Sequence, residues 1–329
     1  MSPRKIKAIR IEKTGGPEAM ALREVDLASP KPGEVQVRAK AIGINFIDTY
    51  HRSGLYPVAL PSGIGMEAAG VVAAVGEGVT HLKEGDRVAY GSGPIGAYAE
   101  AHNVNAMSVA KLPDGVTDEA AAAMMLKGLT AQFLLRQTFR VEKGQTILWH
   151  AAAGGVGLIA CQWAKYLGAT VIGTTSSDEK AALARAHGCD HVIDYTKEDV
   201  AARVKEITGG RKVPVVYDGV GKATFMGSLD SLAPLGLLVS FGNASGPVTG
   251  VDLGILAQKG SLFVTRPTMF HYMAKTPTAF QEMAAELFAV VAKGAVRVEV
   301  NQRYALAEAS KAHMDLEARK TTGASVLVP

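Results

Sequence analysis

A chain of 329 residues, 48% of them apolar and 20% charged, has the length of about two domains and the composition of a packed α/β protein rather than a disordered or fibrous one. Its 35 basic and 31 acidic residues leave a net charge of +4, scattered without a Lys/Arg block, which argues against a nucleic-acid stripe and suits an acidic or phosphorylated small ligand. The only cysteines, Cys161 and Cys189, fall in and beside apolar helix patterns and read as buried reduced thiols; a structural zinc loop cannot be built from two.

The opening Met1-Ser2-Pro3-Arg4-Lys5 leads into an alternating strand rather than a signal-peptide core, so a cytoplasmic location is expected. Lys7–Ile11, Glu34–Ala41, Gly70–Val75, Arg87–Tyr90 and Tyr98–Asn103 are strand-like and separated by Gly, Pro and Asp turns, the spacing of an antiparallel β domain. From Gln145 the pattern changes. Thr146-Ile147-Leu148-Trp149 reads as a buried parallel strand, and Val156 to Gly168 as an apolar helix ending on glycine. Between them Ala152-x-Gly154-x-x-Gly157 has the spacing of a dinucleotide fingerprint with alanine for its first glycine. Small residues there let the backbone turn tightly and approach a pyrophosphate seated on the helix N-terminus. Further strands are expected at Thr170–Gly173, His191–Asp194, Pro214–Tyr217, Leu237–Phe241 and Leu262–Thr265, with helices at Asp178–His187, Val200–Thr208 and Ala223–Leu232. Strands alternating with helices of this length predict a doubly wound parallel sheet. The uncharged stretches Gly144 to Ala164 and Ser231 to Val251 are broken by Gly, Pro, Asn or Ser, so neither reads as a membrane span. After Thr265 come a helix opened by Thr276-Pro277 with an apolar stripe from Phe280 to Val291, a helix near Ala307–Ala318 and a strand Ala324–Val328. These pieces are expected to return to the N-terminal domain, which leaves the parallel sheet inserted between two halves.

The stretch from Gly144 to Lys165, with Leu148, Ala152, Ala153, Gly154, Gly155, Gly157, Gln162 and Lys165, matches the quinone oxidoreductase signature. GINFIDTYHRSGLYP (Gly43–Pro57), GMEAAG (Gly65–Gly70), GDRV (Gly85–Val88), LKGLTA (Leu126–Ala131), VVYDGVG (Val215–Gly221), SFGNASG (Ser240–Gly246) and VTRP (Val264–Pro267) follow in order. Together they resemble the zinc-free, zeta-crystallin-like quinone oxidoreductases of the medium-chain dehydrogenase/reductase superfamily. The resemblance implies an α/β fold in which a Rossmann domain of strand order 3-2-1-4-5-6, residues 127–266, is inserted in a GroES-like β catalytic domain, residues 1–126 and 267–329. It also implies a cofactor in the cleft between the domains, and a homodimer through the Rossmann edge strand near Ser261–Thr265.

Zinc alcohol dehydrogenases of that superfamily place Cys and His where this chain has Asn45 and Met66, neither a usual zinc ligand, so no metal is expected. Without a Lewis acid to lower an alcohol pKa, the acceptor should already be electrophilic, as quinones and conjugated enones are. The expected second strand runs Val171 to Ser177 with no acid at its end, where an NAD-binding fold carries Asp or Glu. A carboxylate would repel a 2′-phosphate, whereas hydroxyls and Lys180 would hold one, which points to NADPH. By resemblance Thr175, Ser176, Lys180 and Tyr195 line the adenosine phosphate site and Arg319 adds a second cation. The pyrophosphate turn takes Ala152, Gly154, Gly155, Val156 and Gly157. The resemblance assigns the nicotinamide end Asn45, Tyr50, Thr130, Phe241, Gly242, Asn243, Ala244, Val264, Thr265 and Arg266, and counts Gly219 among the cofactor contacts. Hydride transfer develops an anionic oxygen that needs a hydrogen-bond donor. Tyr50 is the candidate, with Asn45 as polar neighbour and Tyr56 shaping an aromatic wall; water is the alternative proton source. His51, expected on a strand or turn, reads as a surface histidine. The function expected is NADPH:quinone reduction, with an alkenal or enone double-bond reductase as the rival. An NADPH-binding protein with an RNA-binding or structural role is the third reading, and the absence of a basic stripe counts against RNA.

Overall fold

The computed structural model describes residues 4–329; Met1, Ser2 and Pro3, the start of the opening read above, lie outside the described residues. The chain forms two units, one comprising the chain to Leu129 with Thr276–Ala292 and Val298–Pro329, the other Thr130–Lys275 and Lys293–Arg297.

The first unit begins with β1 (Arg4–Ile11), β2 (Met20–Leu27), β3 (Glu34–Gly43), helix α1 (Phe46–Ser53), β4 (Ser62–Gly63), β5 (Ala68–Val75), β6 (Arg87–Tyr90), β7 (Ala101–Asn105), β8 (Ala110–Lys111) and helix α2 (Asp118–Phe133). Neither helix was expected, nor were β2 and the two-residue strands β4 and β8. Read as part of a strand or turn, residues 46–53 form α1 because Asn45 caps it: Asp48 at the third helical position accepts the Asn45 main-chain N–H at 2.8 Å. Gly54, with φ 83°, ends it in the left-handed conformation. Helix α2 starts after Thr117, whose hydroxyl accepts from the Ala120 N–H at 3.2 Å, and continues through an alanine run that favours helix.

The second unit supplies β9 (Thr146–Trp149), α3 (Gly155–Tyr166), β10 (Thr170–Thr175), α4 (Asp178–Ala186), β11 (His191–Asp194), α5 (Val200–Ile207), β12 (Val213–Asp218), α6 (Phe225–Ser231), β13 (Leu232–Ser240), α7 (Gly254–Gln258), β14 (Phe263–Thr265) and α8 (Met269–Met273). Its sheet has the order β11-β10-β9-β12-β13-β14, every recorded pairing parallel, which is 3-2-1-4-5-6 in chain sequence. The near-continuous apolar strands follow from helices on both faces. One residue from each of the first five strands, Leu148, Ile172, Ile193, Val216 and Leu238, is fully buried in one cluster. Each such side chain contributes about 1.5–3 kcal/mol.

The chain then returns to the first unit with α9 (Ala279–Ala292), β15 (Val300–Ala305), α10 (Ala309–Glu317) and β16 (Ala324–Val328). There β1 lies between β2 and β4, while the larger sheet runs β15-β16-β3-β5-β6-β8 with β7 also on β3. Gly128 lets α2 pack on α9: a Cβ there would meet Leu287 at 2.5 Å. Among the described residues no helix is long and apolar enough to cross a membrane. Both cysteines are free and buried.

Candidate active site

In the second unit the crossing from β9 to α3 is built for close approach. Ala151 takes φ 54°, and the Ala152 N–H bonds the Thr174 carbonyl at 3.0 Å, which fixes the turn on β10. A Cβ on Gly157 would meet the carbonyl oxygens of Ala151 and Ala152 at 2.5 and 2.6 Å, so only glycine fits. Gly154 is the N-cap of α3, and the first-turn N–H groups that follow have no partner within the helix. Such groups, with the helix dipole behind them, could hold a phosphate.

The end of β10 carries no acid. Thr175 is buried, and its hydroxyl has no partner among the described residues, an orphan that a ligand hydroxyl or phosphate would satisfy. Ser177 caps α4, accepting the Lys180 N–H at 3.3 Å, which sets Lys180 in the first turn. Tyr195 is exposed, and its N–H reaches the Thr175 carbonyl at 3.1 Å, placing it beside Thr175 and Ser176. This chemistry fits a 2′-phosphorylated dinucleotide: no carboxylate ends the strand to repel the phosphate, while hydroxyls and a lysine are at hand.

Across the sheet Gly219 and Gly242 let two loops touch. A Cβ on Gly242 would meet the Gly219 carbonyl at 2.2 Å, and one on Gly219 the Phe241 ring at 2.9 Å. Arg266 braces the same loop, donating from Nη1 to the carbonyls of Ser240 at 2.9 Å and Gly242 at 3.0 Å. Ala244 donates to the Gly219 carbonyl at 3.3 Å, and Val264 and Thr265 pair with Leu238 and Val239. Thr130 lies in α2 at the edge of this unit.

Sequence reasoning missed a buried network under these loops. Asp218 accepts from the N–H groups of Val220 (2.8 Å) and Gly221 (3.0 Å) and from the hydroxyls of Thr224 and Ser228 (each 2.7 Å at Oδ2). Because Ser228 donates to Asp218, His150 Nε2, 3.0 Å from Ser228 Oγ, carries the proton, and Nδ1 accepts from Thr174 at 3.1 Å. Burial pulls the His150 pKa down, in keeping with this neutral ring. The signal was an acid closing an apolar strand just before Gly-Val-Gly.

In the first unit Asn45, Tyr50 and Tyr56 come together around α1. The Tyr50 ring lies 5.9 Å from Phe46 and 5.2 Å from Tyr56, and the Tyr56 N–H bonds the Tyr50 carbonyl at 3.1 Å. His51 is not a surface residue. It is buried, its Nδ1 has no partner among the described residues, and burial lowers its pKa. On a helix it turns inward, where an extended segment would have turned it out. Asn45 is 5% exposed, and its Nδ2 donates to Glu67 Oε2 at 2.7 Å. Arg319 follows α10 with φ 58°. Among the described residues no group of three or more His, Cys, Asp or Glu side chains is arranged to hold a metal ion.

Two family models match, the alcohol dehydrogenase GroES-like domain over residues 31–114 and the zinc-binding dehydrogenase over residues 155–289. A quinone oxidoreductase of Pseudomonas aeruginosa is 61% identical over 324 residues, covering 98% of this chain and 99% of that protein. The chain belongs to the quinone oxidoreductase family. It is the zinc-free branch of the medium-chain dehydrogenase/reductases, and the six-stranded parallel sheet and GroES-like domain are that fold. The crystal structure of Escherichia coli quinone oxidoreductase complexed with NADPH superposes with a TM-score of 0.96 at 53% identity, covering 98% of this chain and all of that one. A 2-haloacrylate reductase of a Burkholderia species is 45% identical, covering 98% of this chain and 99% of that protein.

Proposed function

We propose that this protein is an NADPH-dependent, zinc-independent quinone oxidoreductase. The carrying observation is the acid-free end of β10, with the orphaned Thr175 hydroxyl and Lys180 in the first turn of α4. Relatives of the same length named quinone oxidoreductases, one of them holding NADPH, supply the acceptor class.

When bound, NADPH supplies the hydride. The chain's own part begins with the pyrophosphate turn, where the first-turn amides of α3 hold negative charge and Gly157 keeps the backbone close. Thr175, Ser176, Lys180 and Tyr195 select the 2′-phosphate, with Arg319 as a further cation. Phe241, Gly242, Asn243 and Ala244, braced by Arg266, orient the reactive end with Thr130, Gly219, Val264 and Thr265. Tyr50 Oη donates a hydrogen bond to the oxygen on which charge develops, Asn45 sets the polar side and Tyr56 the aromatic wall. A hydroquinone oxygen also takes its proton from water, so Tyr50 stabilises charge without being an obligatory acid.

Initial rates with NADPH against NADH, using 1,4-benzoquinone, test the reading. NADPH is preferred, and Lys180→Ala raises its KM about tenfold while leaving NADH unchanged, the size of one lost charge-assisted hydrogen bond. Equal use of both coenzymes by the wild type, or inactivity with every quinone, would sink it. The 2-haloacrylate reductase relative favours a second reading, hydride delivery to the β-carbon of a conjugated carbonyl. Turnover of an enal panel faster than quinones would select it. We also propose a homodimer through β14, an outermost strand with Phe263 59% and Val264 40% exposed; a monomer in sedimentation at micromolar concentration would refute it. The reading places the enzyme in the cytoplasm, consistent with two free thiols.

A further inference from the structure

Glu67 is fully buried and its carboxylate is shared among three donors. Oε1 accepts the Leu126 main-chain N–H at 2.8 Å, while Oε2 accepts Asn45 Nδ2 at 2.7 Å and Lys127 Nζ at 3.1 Å. Lys127 is itself only 5% exposed. Glycine at 43 makes room for this carboxylate, since a Cβ there would lie 2.1 Å from Glu67 Oε2. A buried acid is a costly way to fill that space, and an apolar residue would pack there without needing a cation. Its chemistry toward Asn45 is specific. A carboxylate only accepts, so the Asn45 amide is held with its nitrogen inward, because the flipped amide would set oxygen against oxygen. The Asn45 main-chain N–H is separately fixed by Asp48 at 2.8 Å, which anchors the backbone from which the side chain reaches Glu67.

We propose that Glu67, with Lys127 offsetting its charge, is a positioning residue that fixes the polarity of the Asn45 amide, so that Asn45 offers its carbonyl oxygen as an acceptor to an O–H or N–H of the bound ligands. This deepens the quinone-reductase reading and rests on Asn45 belonging to that site. Asn45 is then an acceptor for a carboxamide or hydroxyl proton, and stabilising a developing oxyanion falls to Tyr50.

Glu67→Gln is the decisive variant. The substituted amide has one oxygen where the carboxylate had two, so it cannot accept from the Leu126 N–H and from Asn45 and Lys127 together, and the charge that held the Asn45 NH2 group is lost. In spectra of 15N-labelled protein, the Asn45 side-chain amide, assigned by its loss in Asn45→Ala, has one proton displaced downfield and protected from exchange in the wild type. Glu67→Gln abolishes the displacement. In quinone-reduction kinetics Asn45→Ala and Glu67→Gln each lower kcat/KM about tenfold, and the double variant is no worse than Asn45→Ala alone, because Glu67 acts through Asn45. An unshifted, freely exchanging Asn45 amide in the folded wild type overturns the proposal, as does additivity of the two losses to about a hundredfold. If Glu67→Gln does not fold, the wild-type amide signature decides alone. A wild type inactive with every quinone counts against the proposed function, while the amide signature still judges the role of Glu67.

Discussion

Each unit buries an aspartate at the end of a relay through a neutral histidine, and the two relays end differently. In the second unit Thr174 donates to His150, His150 to Ser228, and Ser228 to Asp218, whose two oxygens also take Thr224 and the N–H groups of Val220 and Gly221. In the first, Arg52 donates to His313 Nδ1 at 3.1 Å, His313 Nε2 lies 3.0 Å from Tyr98 Oη, and Tyr98 donates to Asp48 Oδ2 at 2.9 Å. Asp48 Oδ2 also takes the Asn45 N–H, but Oδ1 has no partner among the described residues. Both aspartates are buried to about the same degree, so depth does not separate them. The count of donors does: one oxygen of Asp48 meets no donor among the described residues, and a buried charge short of donors is disfavoured. Burial accordingly pushes the Asp48 pKa up, from 3.8 to about 7.

The comparison breaks most readily at Asp218. Asp218→Ala strands two hydroxyls and two main-chain N–H groups under the 219–221 and 241–244 loops. At about 1–3 kcal/mol for each stranded group, relieved in part by rotation of the hydroxyls, the loss in urea denaturation is expected near ~4 kcal/mol, with weakened NADPH binding. Asp48→Asn keeps an acceptor for Tyr98 and for the Asn45 N–H and resembles the protonated aspartate, so its loss at pH 4 is expected below about 1 kcal/mol and at pH 7 it is no less stable than the wild type, since the charge it removes was poorly solvated. Equal losses would mean that donor count does not distinguish the sites.

The second way to sharpen it is pH. Between 3.8 and about 7 folded Asp48 keeps a proton that the unfolded chain has released. Its contribution is therefore complete at the acid end and is lost as pH rises, at about 1.4 kcal/mol per unit. His313, whose pKa is lowered to about 3 by burial and by Arg52, has the opposite sign: unfolding takes up a proton below 6.5, so stability falls as pH falls. His102, lowered to about 4 by burial, adds to that side. Lys127, Glu67 and Tyr98 also act on Asp48, the first favouring its charge and Glu67 opposing it. Asp48→Asn removes the slope that opposes those of His313 and His102. Relative to wild type, its unfolding free energy should climb by about 1.4 kcal/mol per pH unit from about pH 4 to 7 and run parallel above. Parallel curves throughout would show that Asp48 titrates alike in both states.

The two units were also unequally legible. Strand periodicity and glycine spacing made the parallel sheet, its order by resemblance, and the tight turn between β9 and α3 legible, because those features are local in the chain. In the first unit α1 and α2 escaped, although Asn45-x-x-Asp48 and Thr117 before Asp118-Glu119 were cap signals in plain view. A β-like spacing around them outweighed the short run of helix. His51 was misplaced for that reason alone. Glu67, Lys127 and Asp218 could not be read as partners of anything, since the contacts of Asn45 with Glu67 and of Ser228 with His150 span 22 and 78 residues. Only the fold brings such groups together.

The smallest expected effect concerns how each unit starts the helix that presents its candidate ligand-contacting residues. Helix α1 is fixed by buried groups, with Asn45 held at its main chain by Asp48 and at its side chain by Glu67. Helix α4 is fixed by a cap near the surface, Ser177 accepting the Lys180 N–H at 3.3 Å, with Asp178 and Glu179 favourably placed in the first turn. Removing that hydroxyl leaves a donor that water can reach, so Ser177→Ala should cost about 1 kcal/mol or less. The change should appear as a lowered urea midpoint at unchanged slope, with NADPH affinity reduced only slightly, because the Lys180 side chain remains. A loss above about 2 kcal/mol would put this exposed cap on the footing of a buried network, and the contrast between the two units would then rest on the aspartates alone.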